Sequence, residues 1–159
     1  MKYFIKDYDT RYFAGIEFPE GVRLQTDDKK KIPELWDKFF NKYNQAIDGQ
    51  VEPNHYIGLE CYPFDFMESK IFDYFVLAET KDLLKINDEL VTKKLKKGRY
   101  ICFPIRFDQI TSEIQKVYEF IKKENIKVHM GFDYEDYIPE ENYSELEAIL
   151  NFCFLLDEE

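Results

Sequence analysis

Residues 31–43, KIPELWDKFFNKY, decide how the chain reads, because here the apolar period changes. Ile32, Leu35, Trp36, Phe39, Phe40 and Tyr43 recur at spacings of three and four, the stripe of an amphipathic helix. Pro33 falls in the first turn, where a missing N–H is tolerated, and Asp27 or Asp28 is placed to cap the helix. Upstream, Arg11–Phe18 (RYFAGIEF) is rich in aromatic and branched residues and is closed by Pro19-Glu20-Gly21, so it predicts a strand and a turn. Downstream of a polar loop over 48–54, His55–Tyr62 (HYIGLECY) and Ile71–Glu79 (IFDYFVLAE) read as two further strands. The order is strand, helix, strand, strand.

The same order returns in the second half. A short strand over Glu89–Leu95 precedes a Lys97-Gly98 turn and the strand Arg99–Ile105 (RYICFPI). Ile110, Ile114, Val117, Tyr118 and Ile121 mark a second helix, with Asp108 placed as its cap and Lys122-Lys123 in its last turn. Strands near Val128–Tyr137 and Glu147–Leu156 close the chain. Two βαββ units, about 1–88 and 89–159, predict one α+β domain: a mainly antiparallel sheet with two packed helices. The repeat is one of element order, not of residue identity.

Composition bounds the partners. The chain has 159 residues, 32 acidic against 22 basic side chains, and a formal net charge of −10. That balance argues against direct binding of nucleic acid or an anionic membrane, which requires clustered Lys and Arg. The Lys93-Lys94-Leu95-Lys96-Lys97 cluster is expected to protect an edge strand instead. No apolar run approaches the roughly 20 residues of a membrane span, and the first residues turn to charge too early for a secretory signal. Cys61, Cys102 and Cys153 have no CxxC spacing, which points to reduced, small apolar groups in a cytoplasmic protein. His55 and His129 lack further metal-type ligands at a recognisable spacing, so neither a metal nor another cofactor is expected. No Cys lies beside a His and no Ser sits in a nucleophile elbow, so classical triads find no support.

Strand parity sorts the remaining aromatics. Tyr56, Gly58, Glu60 and Tyr62 share one face of their strand, opposite Ile57 and Leu59. Gly131, Asp133, Glu135 and Tyr137 share another, opposite Met130, Phe132 and Tyr134. A face carrying carboxylates among tyrosines is either a solvated sheet surface or a concave site for a flat, cationic ligand.

Three segments resemble a known family. Ile32-Pro33-Glu34-Leu35-Trp36-Asp37-Lys38-Phe39 resembles the IPELWxxF helix of GyrI-like small-molecule-binding domains, which also serve as effector-binding domains of multidrug-sensing transcription regulators. Leu95–Tyr100 resembles the (I)PAGxY start of that family's second repeat, departing from it with Lys96-Lys97 in place of Pro-Ala. Tyr134-Glu135-Asp136-Tyr137 resembles its late (F/Y)ExY strand; Phe132-Asp133-Tyr134 fits the same pattern two residues earlier and keeps Asp133 on the same face. The resemblance implies a pseudo-twofold fold with a central ligand cleft and a stand-alone form without a DNA-binding module.

It also implies Glu135 as the ligand's carboxylate, with Tyr137, Tyr100 and Trp36 as aromatic neighbours. Parity adds Glu60 and Tyr56, and the hydroxyl of Tyr74 adds that side chain. Three functions follow. The first is binding of a hydrophobic or cationic aromatic small molecule, for sensing or sequestration. The second is hydrolysis of reactive cyclopropane-type genotoxins, as some GyrI-like proteins perform, with Glu135 and Glu60 as carboxylates and Tyr100 or Tyr137 as proton donor. The third is a protein-interaction role for the acidic surface, with a protein partner or a homodimer, as the gyrase-inhibiting members suggest. Two carboxylates close together in one cleft favour turnover; one isolated carboxylate favours binding alone.

Overall fold

The computed structural model describes residues 1–82 and 88–157. Their strands are β1 (Phe4–Tyr8), β2 (Arg11–Glu17), β3 (Val22–Arg23), β4 (Tyr56–Cys61), β5 (Ile71–Thr80), β6 (Val91–Leu95), β7 (Gly98–Arg106), β8 (Phe132–Tyr137) and β9 (Ile149–Leu155). The helices are α1 (Ile32–Lys38), α2 (Phe66–Ser69) and α3 (Ile110–Lys123). A 3₁₀ turn over Asp28–Lys31 leads into α1 and a π turn over Phe39–Tyr43 continues it, so the helical stretch spans the quoted segment. The paired strands are antiparallel, in the order β1-β7-β9-β8-β4-β5-β2-β6, with β3 beside β5. The α+β class and the duplicated order are as the sequence predicts. The expected division between the halves adjoins residues 83–87, which lie outside the described residues.

Two corrections concern the caps. Neither Asp27 nor Asp28 caps a helix N-terminus through its side chain. Asp28 is buried and accepts hydrogen bonds from the Arg23 guanidinium and backbone N–H, 2.8 and 3.1 Å for the closest contacts, which drives its pKa down. Asp108 likewise turns to Arg106, at 2.7 Å, and leaves the α3 N-terminus without a side-chain cap. A guanidinium nearby offers a carboxylate a charge-assisted pair, a stronger bond than the neutral N–H of a cap.

β1 is a strand the sequence reading leaves out, and its place is informative. It pairs with β7 of the second half, Phe4 opposite Cys102 and Tyr8 opposite Gly98, while β6 returns to pair with β2 of the first half. Each half thus lends its leading strand to the other. β6 ends the strand order and carries Lys93 and Lys94, so the basic cluster does sit on an edge.

One face of the sheet packs as a single core of Phe13, Ile57, Leu59, Phe75, Leu77, Tyr134, Cys102, Cys153 and their neighbours. At its rim the buried Arg11 guanidinium stacks over the Tyr8 ring, 3.6 Å from its centroid, and donates to the Tyr134 hydroxyl at 2.9 Å. On the opposite face α1 and the π turn that continues it cover β2 and β5 through Leu35, Phe39 and Tyr43, and α3 covers β7 and β9 through Val117 and Ile121. The helices therefore sit over the flanks, and the central strands β4 and β8 have no helix above them.

His55, just before β4, bridges Glu79 of β5 (2.8 Å) and Asp136 of β8 (2.5 Å). Burial pulls its pKa down, but the bonds to Asp136 and Glu79 outweigh burial and raise it to about 9. The charged ring therefore stabilises the fold fully below its unfolded value near 6.5, and that contribution is lost as pH rises through 9. Chemical denaturation of the native protein and a His55→Gln variant should show a native advantage of about 2 kcal/mol near pH 6 that vanishes near pH 10.

Candidate functional site

The uncovered central strands make the floor of a cleft of about 1410 Å³ between α1 and α3. β4 contributes Tyr56 and Glu60, and β8 contributes Asp133, Glu135 and Tyr137. Their register sets Tyr56 opposite Tyr137, Gly58 opposite Glu135 and Glu60 opposite Asp133. Each helix turns a row of side chains spaced by four toward this floor: Ile32, Trp36 and Phe40 from one side, Ile110, Ile114 and Tyr118 from the other. The apolar stripes read from the sequence thus split lengthwise, one edge packing on the sheet and one lining the cleft. Phe64, Met67, Met130 and Leu24 stand exposed at its edge.

Glu135 is 7 % exposed, and its Oε1 accepts hydrogen bonds from the hydroxyls of Tyr74 (2.8 Å) and Tyr137 (3.0 Å). The Trp36 indole N–H donates to the Tyr74 oxygen at 2.9 Å, and the indole meets the Tyr137 ring edge-on at 4.8 Å. Among the described residues Glu135 has no Lys, Arg or His at ion-pair distance. Burial and then the neighbouring Glu60 push its pKa up to about 8, against the two phenol bonds. Lys29 is the one Lys or Arg among the described lining residues, against Asp37, Glu60, Asp133, Glu135 and Glu141.

A second group lies one pleat along. The Tyr62 hydroxyl is 2.8 Å from Glu60 Oε2 and 2.9 Å from Asp133 Oδ2, and the Tyr118 hydroxyl bonds to the same Asp133 oxygen. Tyr62 has one proton to give, so the two acids share it. Burial raises the pKa of both, and the closeness of Glu60 raises that of Asp133 further. Asp133 is 2 % exposed, and its Oδ1 has no hydrogen-bond partner among the described residues.

Of the residues singled out in the sequence, the cleft brings together Glu135, Tyr137, Trp36, Tyr74, Tyr56 and Glu60. It does not bring Tyr100. That side chain is fully buried on the opposite face, packed edge-on against Tyr8 and Tyr134, and its hydroxyl donates to the Lys96 carbonyl at 2.7 Å. The strand pleat turns Tyr100 away from the helices. The cleft also takes in Tyr62 and Tyr118, which the sequence reading does not include among the site residues. Parity already placed Tyr62 beside Glu60, and Tyr118 is the one hydroxyl in the α3 stripe.

The geometry also explains Gly58. A Cβ there would stand 2.5 Å from Glu135 Oε1 and closer still to the Tyr74 hydroxyl. A Gly58→Ala variant should lower stability by about 1–3 kcal/mol in chemical denaturation. It should also shift the emission of Trp36, the sole tryptophan, because the Tyr74 oxygen that the indole bonds must move.

Comparison with known proteins follows the same lines. No curated protein sequence matches the chain. In fold, the chain is similar to SAV2435 bound to tetraphenylphosphonium, with a TM-score of 0.78 at 13% identity over 99% of this chain and 94% of that one. It is also similar to an integron cassette protein from Vibrio cholerae (0.65, 16%, covering 97% and 95%). The EcmrR C-terminal domain is a third (0.66, 11%, covering 99% and 98%). Residues 5–150 match the Cass2 family, described as integron-associated effector binding protein. With that match spanning most of the chain, and with the cleft where the GyrI-like resemblance implies one, this protein belongs to the Cass2 family of effector-binding, GyrI-like domains.

Proposed function

We propose that the chain binds lipophilic cations in the cleft between α1 and α3, with Glu135 as the charge partner, and so senses or sequesters them. The carrying observation is Glu135 itself, a buried carboxyl held by two phenols, without a basic partner, under aromatic walls. Burying a charge without a partner is costly, so the empty cleft favours the protonated acid. An arriving cation supplies the missing charge, and the proton leaves. The rings of Trp36, Tyr74 and Tyr137 offer π faces and edges to a ligand of any orientation, which suits recognition by charge and bulk more than by a fixed hydrogen-bond pattern. Tetraphenylphosphonium on the similar SAV2435 fold supports the same ligand class. We place this binding in the cytosol, where unpaired thiols such as Cys61, Cys102 and Cys153 persist.

A second reading, hydrolysis of an electrophilic small molecule, draws on one feature: Glu60 and Asp133 meet at a single phenol. An acid and its conjugate base side by side suit proton donation and water activation. With Tyr100 on the opposite face, the phenols at hand are Tyr62 and Tyr118. Chromatography of candidate electrophiles after incubation with the protein separates the readings, since binding alone returns the compound unchanged.

Titration of Trp36 fluorescence with tetraphenylphosphonium tests the binding reading. The other titratable groups lining this part of the cleft are Glu60, Asp133, Lys29, Tyr74 and Tyr137. Because the Glu135 carboxyl must lose its proton to pair with the cation, affinity should rise with pH toward about 8 and level off above it. Glu135→Gln should weaken the cation about tenfold or more and flatten that profile, while triphenylphosphine oxide, a neutral ligand of similar bulk, changes little. Equal losses for cation and neutral ligand would show that charge pairing plays no part.

A further inference from the structure

The cleft holds more negative potential than one cation can use. Glu135 and the Glu60–Asp133 pair are separate groups. The first is bonded by Tyr74 and Tyr137 toward the α1 side of the cleft, the second by Tyr62 and by Tyr118 of α3 toward the other. Asp133 and Glu135 project from the same face of β8 two residues apart, so their backbone origins lie about 7 Å apart along the strand. Gly58, opposite Glu135 on β4, adds no side chain between the two groups.

The second group has an unpaired acceptor, an observation independent of its acidity. Asp133 lines the cleft, and its buried Oδ1 has no donor among the described residues, although its sister oxygen takes a bond from Tyr118 and competes for Tyr62. Buried acceptors are nearly always satisfied, and leaving one without a donor is unfavourable. No Lys, Arg or His among the described residues forms an ion pair with Glu60 or Asp133. A positive centre with polarised C–H or N–H groups would satisfy that oxygen and neutralise the pair.

We infer that the cleft has two cation subsites, Glu135 at one and Glu60 with Asp133 at the other, and that its preferred ligands are aromatic dications with centres about 7 Å apart. The inference rests on the reading of the cleft as a cation site and deepens it. The floor sets the spacing, and the helix rows Ile32-Trp36-Phe40 and Ile110-Ile114-Tyr118 clamp the aromatic body between the two charges. A monocation engages Glu135 alone.

The test compares p-xylylene-bis(trimethylammonium) with benzyltrimethylammonium, its one-charge half, by Trp36 fluorescence titration. Tetraphenylphosphonium serves as the control for the parent reading. The dication should bind about tenfold more tightly than the monocation. A Glu60→Gln/Asp133→Asn double variant should abolish that advantage, and Glu135→Gln should weaken both ligands. Should the double variant fail to fold, the unmodified protein still decides. A dication with a second ring inserted between its charges should lose the advantage, since its centres overshoot the subsites. If tetraphenylphosphonium binds with Glu135 dependence but the dication has no advantage, or keeps it in the double variant or at the longer spacing, the second subsite is wrong and the cation cleft stands. If no cation binds, both fall.

Discussion

The pairing of β4 with β8 is the contact on which the remainder depends. It joins the two βαββ halves at the centre of the sheet, and its register sets glycine opposite Glu135 and one acid opposite another. Because each helix packs on the outer strands of its own half, the seam is left open above and becomes the floor of the cleft. A slip of one residue along this ladder would turn either Glu60 of β4 or Asp133 and Glu135 of β8 into the apolar core of Ile57, Leu59 and Tyr134. The site and the joint between the halves are therefore the same piece of structure.

Phenols make such a floor tolerable. Three acids gathered on a half-dry surface repel one another and lose hydration. Tyr62, Tyr74, Tyr118 and Tyr137 each offer a hydroxyl proton to a carboxylate while adding a ring to the wall. Their own pKa values rise, first through burial and then through the nearby acids, so they remain donors across the accessible pH range. Tyrosine thus performs two tasks that phenylalanine and serine could only divide between them.

Much of this was legible in the residues, because the relevant periods are short. The three-four spacing of Ile32 to Tyr43 and of Ile110 to Ile121 gives the helices, and the alternation in β4 and β8 assigns their acids to one face. Tyr100 shows where that reasoning ends. Its strand was located correctly, but which face of β7 turns to the helices depends on pairing with β1 and β9, which no local pattern states. β1 escaped for a related reason: its residues are largely exposed and interrupted by charge, and its partner lies nearly a hundred positions away. Asp28 and Asp108 were read as caps because capping is local, whereas their arginine partners emerge only from the turn geometry.

The exchange of leading strands has a consequence for how the protein comes into being. β1 is made well before its partner β7, which follows the whole first half, and β6 must reach back to β2. Neither half can finish its own sheet, so the early product is left with β1 unmated while synthesis continues. Closure of the outer strands draws the two halves into one cooperative unit with long loops to order, a topology that slows folding. The floor of the cleft lies at the seam of the two halves that this exchange ties together.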